Sequence, residues 1–296
     1  MDEGGFIQIF NGKNLNNWVG DSTYWRVEDS SLAERYLAQN KFNWKKLAVL
    51  VYTKNGKGYV HANIPSAVNC IQQLGRQYGF RVDTSGNPAV MTEDNLKQYG
   101  LLIFTSTNND VFDNDAQRLA FRRYIEAGGG LVGIHSVLGT ERNWKWFKMM
   151  LGGSFAWHPK FQKLTVKTID PHHSSIKGLP KEWVKEDELY FAKELYPGPK
   201  VLMAFDITSL NTTDSVQNAL VKQHAGGYAE LYPAVWMYDY DGGYTWCTVL
   251  GHDIKDYSNP VFKQHILQGI RYVAERVGTI DYKRSYAVKW DEPLRY

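Results

Sequence analysis

Three of the eight histidines follow runs that read as buried strands. His61 lies in TKNGKGYVHAN, after KLAVLVYT. His135 ends GLVGIHS. His252 follows TVLG. In an open α/β sheet the carboxyl ends of the strands share one rim, and ligands bind there. Histidines far apart in sequence can therefore meet. Imidazole titrates near neutrality and its ring nitrogens ligate metals, so such a group suits proton transfer or cation binding. His135 occupies a strand-to-turn elbow where a serine or cysteine would read as a nucleophile. A histidine there reads instead as a proton carrier or a ligand, with Ser136 beside it.

Other residues extend the set. His158 precedes Pro159, which restrains its direction. Asp187 and Glu188 in KEDELYF supply carboxylates of the kind that acid–base chemistry or a metal site needs. Asp253 adjoins His252. His172 and His173 are neighbours, so at most one can face a site. No HxH, HExxH or CxxC is present, so spacing names no metal. Ordinary glycoside hydrolysis needs two carboxylates across the bond, and only Asp187 and Glu188, on one segment, offer themselves.

The elements that must carry these residues are legible from Lys46 onward. KLAVLVYT, GLLIFTST and GLVGIHS are near-continuous apolar runs, as in strands covered on both faces, and FRVDTS is a further strand. They alternate with helical patterns: IPSAVNCIQQLGRQYG stopping at Gly79, TEDNLKQ capped by Thr92, and DNDAQRLAFRRYIEAGGG. The expected fold is therefore α/β with a mainly parallel sheet and right-handed crossovers. In the second half, YDYDGGYTWCTVLGH reads as a hairpin across Asp241-Gly242-Gly243. NPVFKQHILQGIRYVAERVG reads as a helix capped by Asn259. Residues 1–45 read as a small β annex and linker, 46–278 as the α/β domain, and 279–296 as a tail.

Bulk properties exclude some partners. Net charge is +3, from 34 basic and 31 acidic residues without a basic block, which argues against nucleic acid and acidic membranes. No apolar run is long enough to span a bilayer. Cys70 and Cys247 form no motif and are expected as free buried thiols. Aromatic residues make up 14% of the chain, which suits either a large core or sugar binding. The aromatic content and the start MDEGGF lean towards an exported, periplasmic form, with the cytosol as alternative. Oligomeric state is left open.

The quoted pieces together resemble the ThuA-like, or trehalose-utilisation, family. The resemblance covers 46–277 and rests on KLAVLVYT, the histidine of GYVHAN, TSTNND, EAGGGLVGIHS, MLGGSFAWHP, IKGLP, DELY and TVLGHD. It implies the flavodoxin-like, three-layer α/β/α fold of class I glutamine amidotransferases. In those enzymes the elbow carries a catalytic cysteine. Here it carries His135, so thioester chemistry at that position is ruled out. The first thirty residues, FIQIFNGKNLNNWVGDSTYWRVEDSSL, resemble the start of a 3-keto-disaccharide hydrolase domain, with Ser30 in place of its usual glycine.

The expected activity is therefore acid–base chemistry on an oxidised, 3-keto glycoside or disaccharide, by elimination, hydrolysis or isomerisation. His135, His158, Glu188 and His252 are the expected catalytic residues. His61, Ser136, Trp157, Asp187, Tyr190 and Asp253 are the expected substrate-binding residues. A divalent metal, Zn²⁺ or Mn²⁺, on His135, His158, His252 and Glu188 is the main variation. The rival expectation is a carbohydrate-binding protein without catalysis, using Trp144, Trp146, Trp157 and Trp236 as stacking platforms.

Overall fold

Strands β1 (Ala48–Tyr52), β3 (Leu101–Thr105) and β4 (Gly130–Ile134) are buried almost end to end. Their side chains have no solvent face, which is why the sequence shows runs rather than alternation. The computed structural model describes residues 42–211, 214–228 and 230–295. With β2 (Arg81–Ser85) and β11 (Gly243–Thr248), these strands form a parallel array in the order β2-β1-β3-β4-β11. This is the flavodoxin-like 2-1-3-4-5 order, with the fifth strand supplied more than a hundred residues after the fourth.

The intervening chain extends the sheet. Beyond β11 come β10 (Leu231–Tyr240), β9 (Lys200–Asp206), β6 (Gln162–Thr168) and β7 (Glu182–Asp187), each antiparallel to its neighbour, giving nine strands. The turn between β10 and β11 uses positive φ at Asp241 and Gly242, as a tight hairpin requires. β5 (Ser154–Trp157) and β8 (Phe191–Lys193) pair separately.

Helices cover both faces. They are α1 (Ile64–Tyr78), α2 (Glu93–Leu96), α3 (Asp115–Glu126), α4 (Lys145–Leu151), α5 (Ser215–Ala225) and α6 (Pro260–Arg276). Trp246 of β11 packs so tightly on α6 that a Cβ at Gly269 would lie 2.5 Å from its ring. The opposite face presents Phe104 to Phe121 of α3 and Phe147 of α4. Three caps follow the sequence signals: Thr92 and Asn259 accept backbone N–H bonds and Gly79 closes α1 at φ 85°, and Asn114 caps α3 in the same way.

The tail is tied down on α3. Arg122 bonds Glu126, the carbonyls of Trp290 and Glu292, and the Tyr286 hydroxyl, while Glu126 accepts the N–H groups of Tyr286 and Ala287. Cys70 and Cys247 are free and buried. No helix among the described residues is long and apolar enough to cross a membrane. Residues 1–41 of the expected annex (1–45), with the 3-keto-disaccharide-hydrolase-like start, lie outside the described residues, and its last residues enter a 3-10 turn, Trp44–Lys46.

Candidate active site

The carboxyl ends of β1, β4 and β11 do bring three histidines together. His61, His135 and His252, with Glu188, place one ligand atom each within 4.8 Å of one another. Ring centroids are 4.6 Å apart for His61–His135 and 5.2 Å for His135–His252. His158 stands one step out, with Nδ1 3.6 Å from Glu188 Oε1. The four-residue cluster thus contains His61 where the sequence suggested His158.

His135 is fully buried at the elbow, with φ 56° and ψ −110°. A non-glycine residue pays strain for that conformation. Its N–H bonds the carbonyl of Thr248 at 2.8 Å, which ties β4 to β11 beneath the site. Two residues earlier, a Cβ at Gly133 would lie 2.8 Å from Val137 and 3.1 Å from the Cys247 sulfur, so a side chain there would push on the turn. The elbow leads into a short 3-10 turn, Ser136–Gly139, rather than a long helix.

The hydrogen-bond geometry assigns the tautomers of the neutral rings. His135 Nδ1 faces the carbonyl of Val249 at 3.2 Å and must donate to it, so Nε2 is a lone pair. Ser136 Oγ donates to the carbonyl of Thr107 and so accepts from His61 Nδ1, leaving His61 Nε2 as a lone pair. His252 Nδ1 lies 3.0 Å from Glu188 Oε2 and 3.2 Å from His135 Nε2, so it carries a proton. Tyr190 places its hydroxyl 3.3 Å from both His61 Nε2 and His135 Nε2. Two protons, from Tyr190 and His252, therefore face two imidazole lone pairs and a carboxylate. The centre has more acceptors than donors.

Burial and neighbours set the charge states. Burial, then the imidazoles of His61 and His252, push His135 well below the ordinary histidine value. Burial and then the nearby His252 lower His61 to about 4. His252 goes the other way, raised by its hydrogen bond to Glu188. Burial opposes the charge of Glu188, yet the bond from His252 and the adjoining imidazoles hold its carboxyl below the usual range. Burial keeps Tyr190 protonated.

Asp187 lies beneath this cluster and is fully buried. Its carboxylate accepts the N–H groups of Glu188, Gly251 and His252 and pairs with Lys185, which also reaches Asp256 at 2.9 Å. One side chain thus fixes the backbone of Glu188 and His252 together. Asp253 caps the following turn by accepting the N–H of Lys255, while Glu188 holds the His252 ring. Trp157 stacks between Phe191 and His224 at ring distances of 5.9 and 5.4 Å. Trp144, Trp146 and Trp236 are buried in the core. That corrects their expected role as platforms, since a closed face cannot stack on a sugar. The exposed rings near the cluster are Tyr59, 4.8 Å from His61, and Phe161, 5.3 Å from His252. Sequence reading missed both; aromatic residues flanking the histidine segments were the available signal.

Comparison with solved structures finds the same fold in two ThuA-like proteins. One, from Bacteroides uniformis, is 21% identical, with TM-score 0.64, covering 79% of this chain and 94% of the other. The second, from Parabacteroides merdae, is 19% identical, with TM-score 0.59, covering 82% and 100%. A β-galactosidase from Rahnella sp. R3 matches at TM-score 0.50 and 14% identity, over 76% of this chain and 31% of that one. Comparison with curated proteins finds no match. The family model for ThuA, trehalose utilisation, matches residues 48–273, and this chain accordingly belongs to the ThuA family.

Proposed function

We propose that this chain is a sugar-active enzyme that moves a proton on an oxidised, 3-keto sugar, with a divalent metal held at the histidine cluster. The observation that supports the metal is the excess of acceptors over protons among His61, His135, Glu188, Tyr190 and His252, and the sugar class rests on the trehalose-utilisation family model. Buried polar groups are normally satisfied. A cation would satisfy three convergent lone-pair groups at once, and neutral imidazole and carboxylate suit Zn²⁺ or Mn²⁺. When bound, the metal would polarise ketone and diol oxygens.

The remaining steps belong to the chain. A ketone at carbon 3 acidifies the hydrogen on carbon 2. His135 and His61, with lowered proton affinity, make poor bases and good lone-pair donors. His252 has the raised affinity and a carboxylate behind its Nδ1, so its Nε2 is the base. Carbon 2 gives its proton to His252 and the electron pair moves into an enediolate. Expulsion of the carbon 1 substituent, protonated as it leaves, cleaves the glycosidic bond; return of the proton gives epimerisation or isomerisation. His158, beside Glu188, serves as acid towards the leaving oxygen. Tyr190 donates to a substrate oxygen, and Tyr59 and Phe161 offer faces to the sugar ring. Binding without catalysis loses its main support with the burial of three of its four tryptophans.

Proton NMR with a 3-keto-glucoside in heavy water tests the reading. Exchange at carbon 2, lost on chelation and restored by Zn²⁺ or Mn²⁺, is the expected result. Sugar-induced line broadening without exchange would overturn it in favour of a binding protein.

A further inference from the structure

A polar cavity of about 460 Å³ is lined by Lys57, Arg142, Lys148 and Lys193, with Asp110 and Glu194 as its acids. Glu194 is already paired with Lys148. With that pair set aside, three cations, Lys57, Arg142 and Lys193, face one carboxylate, Asp110. Arg142 is the cation the fold has fixed. Its Nε donates to the carbonyl of Gly139 at 3.0 Å, its Nη2 donates to Asn108 Oδ1 at 3.0 Å, and its guanidinium lies 5.3 Å from the centre of the Phe155 ring. None of these partners is a carboxylate, although the side chain is half-buried.

The surroundings are built to hold that arrangement. Gly139 admits no side chain, since a Cβ would meet Asn108 Oδ1 at 2.4 Å. Asn108 donates its amide to the carbonyl of Tyr59, which joins the cavity wall to the exposed ring beside His61. Phe155, on which Arg142 rests, packs 4.6 Å from the Tyr190 ring, and Tyr190 touches His61 and His135. Side-chain contacts thus join the cavity wall to the histidine cluster along two routes, Arg142–Phe155–Tyr190 and Asn108–Tyr59–His61. A guanidinium held flat with unused N–H groups is suited to two oxygens of one anion.

We propose that this cavity is an anion subsite, and that the substrate carries a carboxylate or phosphate group which docks on Arg142 with help from Lys57 and Lys193. The proposal rests on the sugar reading of the histidine site and narrows its substrate class to acidic sugar derivatives.

Calorimetric titration of the full chain with glucose, glucuronate, glucose 6-phosphate and inorganic phosphate tests it, in the native protein and in Arg142→Gln. An acidic sugar should bind at least about tenfold more tightly than glucose, the scale of one charge-assisted hydrogen bond. Arg142→Gln should abolish that preference and leave glucose unaffected. The tighter of glucuronate and glucose 6-phosphate identifies the group. The exposed pair Lys57→Gln and Lys193→Gln, which carries no folding risk from the core, should weaken the acidic sugar alone. Equal binding of glucose and both acidic sugars, unchanged by Arg142→Gln, would overturn the subsite and leave the sugar reading intact. Arg142-dependent binding of inorganic phosphate with no binding of either acidic sugar would overturn the acidic-sugar assignment, while carbon 2 exchange on the 3-keto-glucoside tests the sugar reading separately. No binding of any anion overturns the subsite.

Discussion

Arg122 and His135 are both completely buried, one on α3 beneath the C-terminal tail, the other at the end of β4. Around Arg122 the donors and acceptors match: a carboxylate, two carbonyls and a hydroxyl take its N–H groups, and the carboxylate takes two backbone N–H groups in return. Around His135 two protons face three acceptor groups. A matched buried network holds a fold together, whereas an unmatched one costs stability in the empty protein. On the proposed function the difference separates a region that holds the fold from one that binds, and it gives the histidine cluster a physical mark independent of residue type.

The comparison breaks most visibly at the matched end. Arg122→Ala leaves Glu126 buried without its cation and should cost about 3–5 kcal/mol. Urea unfolding should report that loss, while turnover per folded molecule stays the same. Glu188→Gln is the mirror case. It keeps the shape and adds two N–H donors to an acceptor-rich centre. Carbon 2 exchange should fall by about a hundredfold or more, and the metal-free protein should be unchanged in stability or gain up to about 1 kcal/mol. A large loss of stability in that variant would erase the contrast.

Acid sharpens the contrast in the metal-free protein. In the unfolded chain His61 and His265 bind protons near pH 6.5, but in the fold burial delays this to about 4 and about 3. Stability present above pH 6.5 should therefore drain away as pH falls towards 4 and then 3. His61 alone accounts for on the order of 3 kcal/mol. His252 is raised by Glu188, so its contribution runs the opposite way, present at low pH and lost as pH rises through its folded value. Urea midpoints at pH 7 and pH 4.5 should show the net loss, and a flat profile would contradict the burial account. The smallest effect is at Asp253. As a cap, Asp253→Ala should cost about 1 kcal/mol with turnover intact. A collapse in turnover would move it into the site.

Much of the parallel half was legible because strands covered on both faces leave continuous apolar runs, and because Thr92, Gly79, Asn259 and the Asp241-Gly242 turn are short-range signals. The meeting of His61, His135 and His252 followed from topology, since strand ends share one rim. What was not legible depends on contacts distant in sequence. The pairing of β11 with β4 closes the site only after the antiparallel extension has left and returned. The burial of Asp187 under Glu188 and His252 has no local signature, because an acid before an apolar run looks the same whether solvated or enclosed. Likewise Trp144, Trp146 and Trp236 could not be told from platforms until the packing of α4 and β10 was seen.

The most direct test of the acceptor excess is ring-nitrogen NMR of the histidines in metal-stripped protein as Zn²⁺ is added. At a single equivalent, Nε2 of His61 and His135 should shift together, while Nδ1 of His135 stays protonated on the Val249 carbonyl. Rings that remain unmoved at saturating Zn²⁺ would contradict the account, and would mean that the cluster is satisfied by a proton rather than a metal.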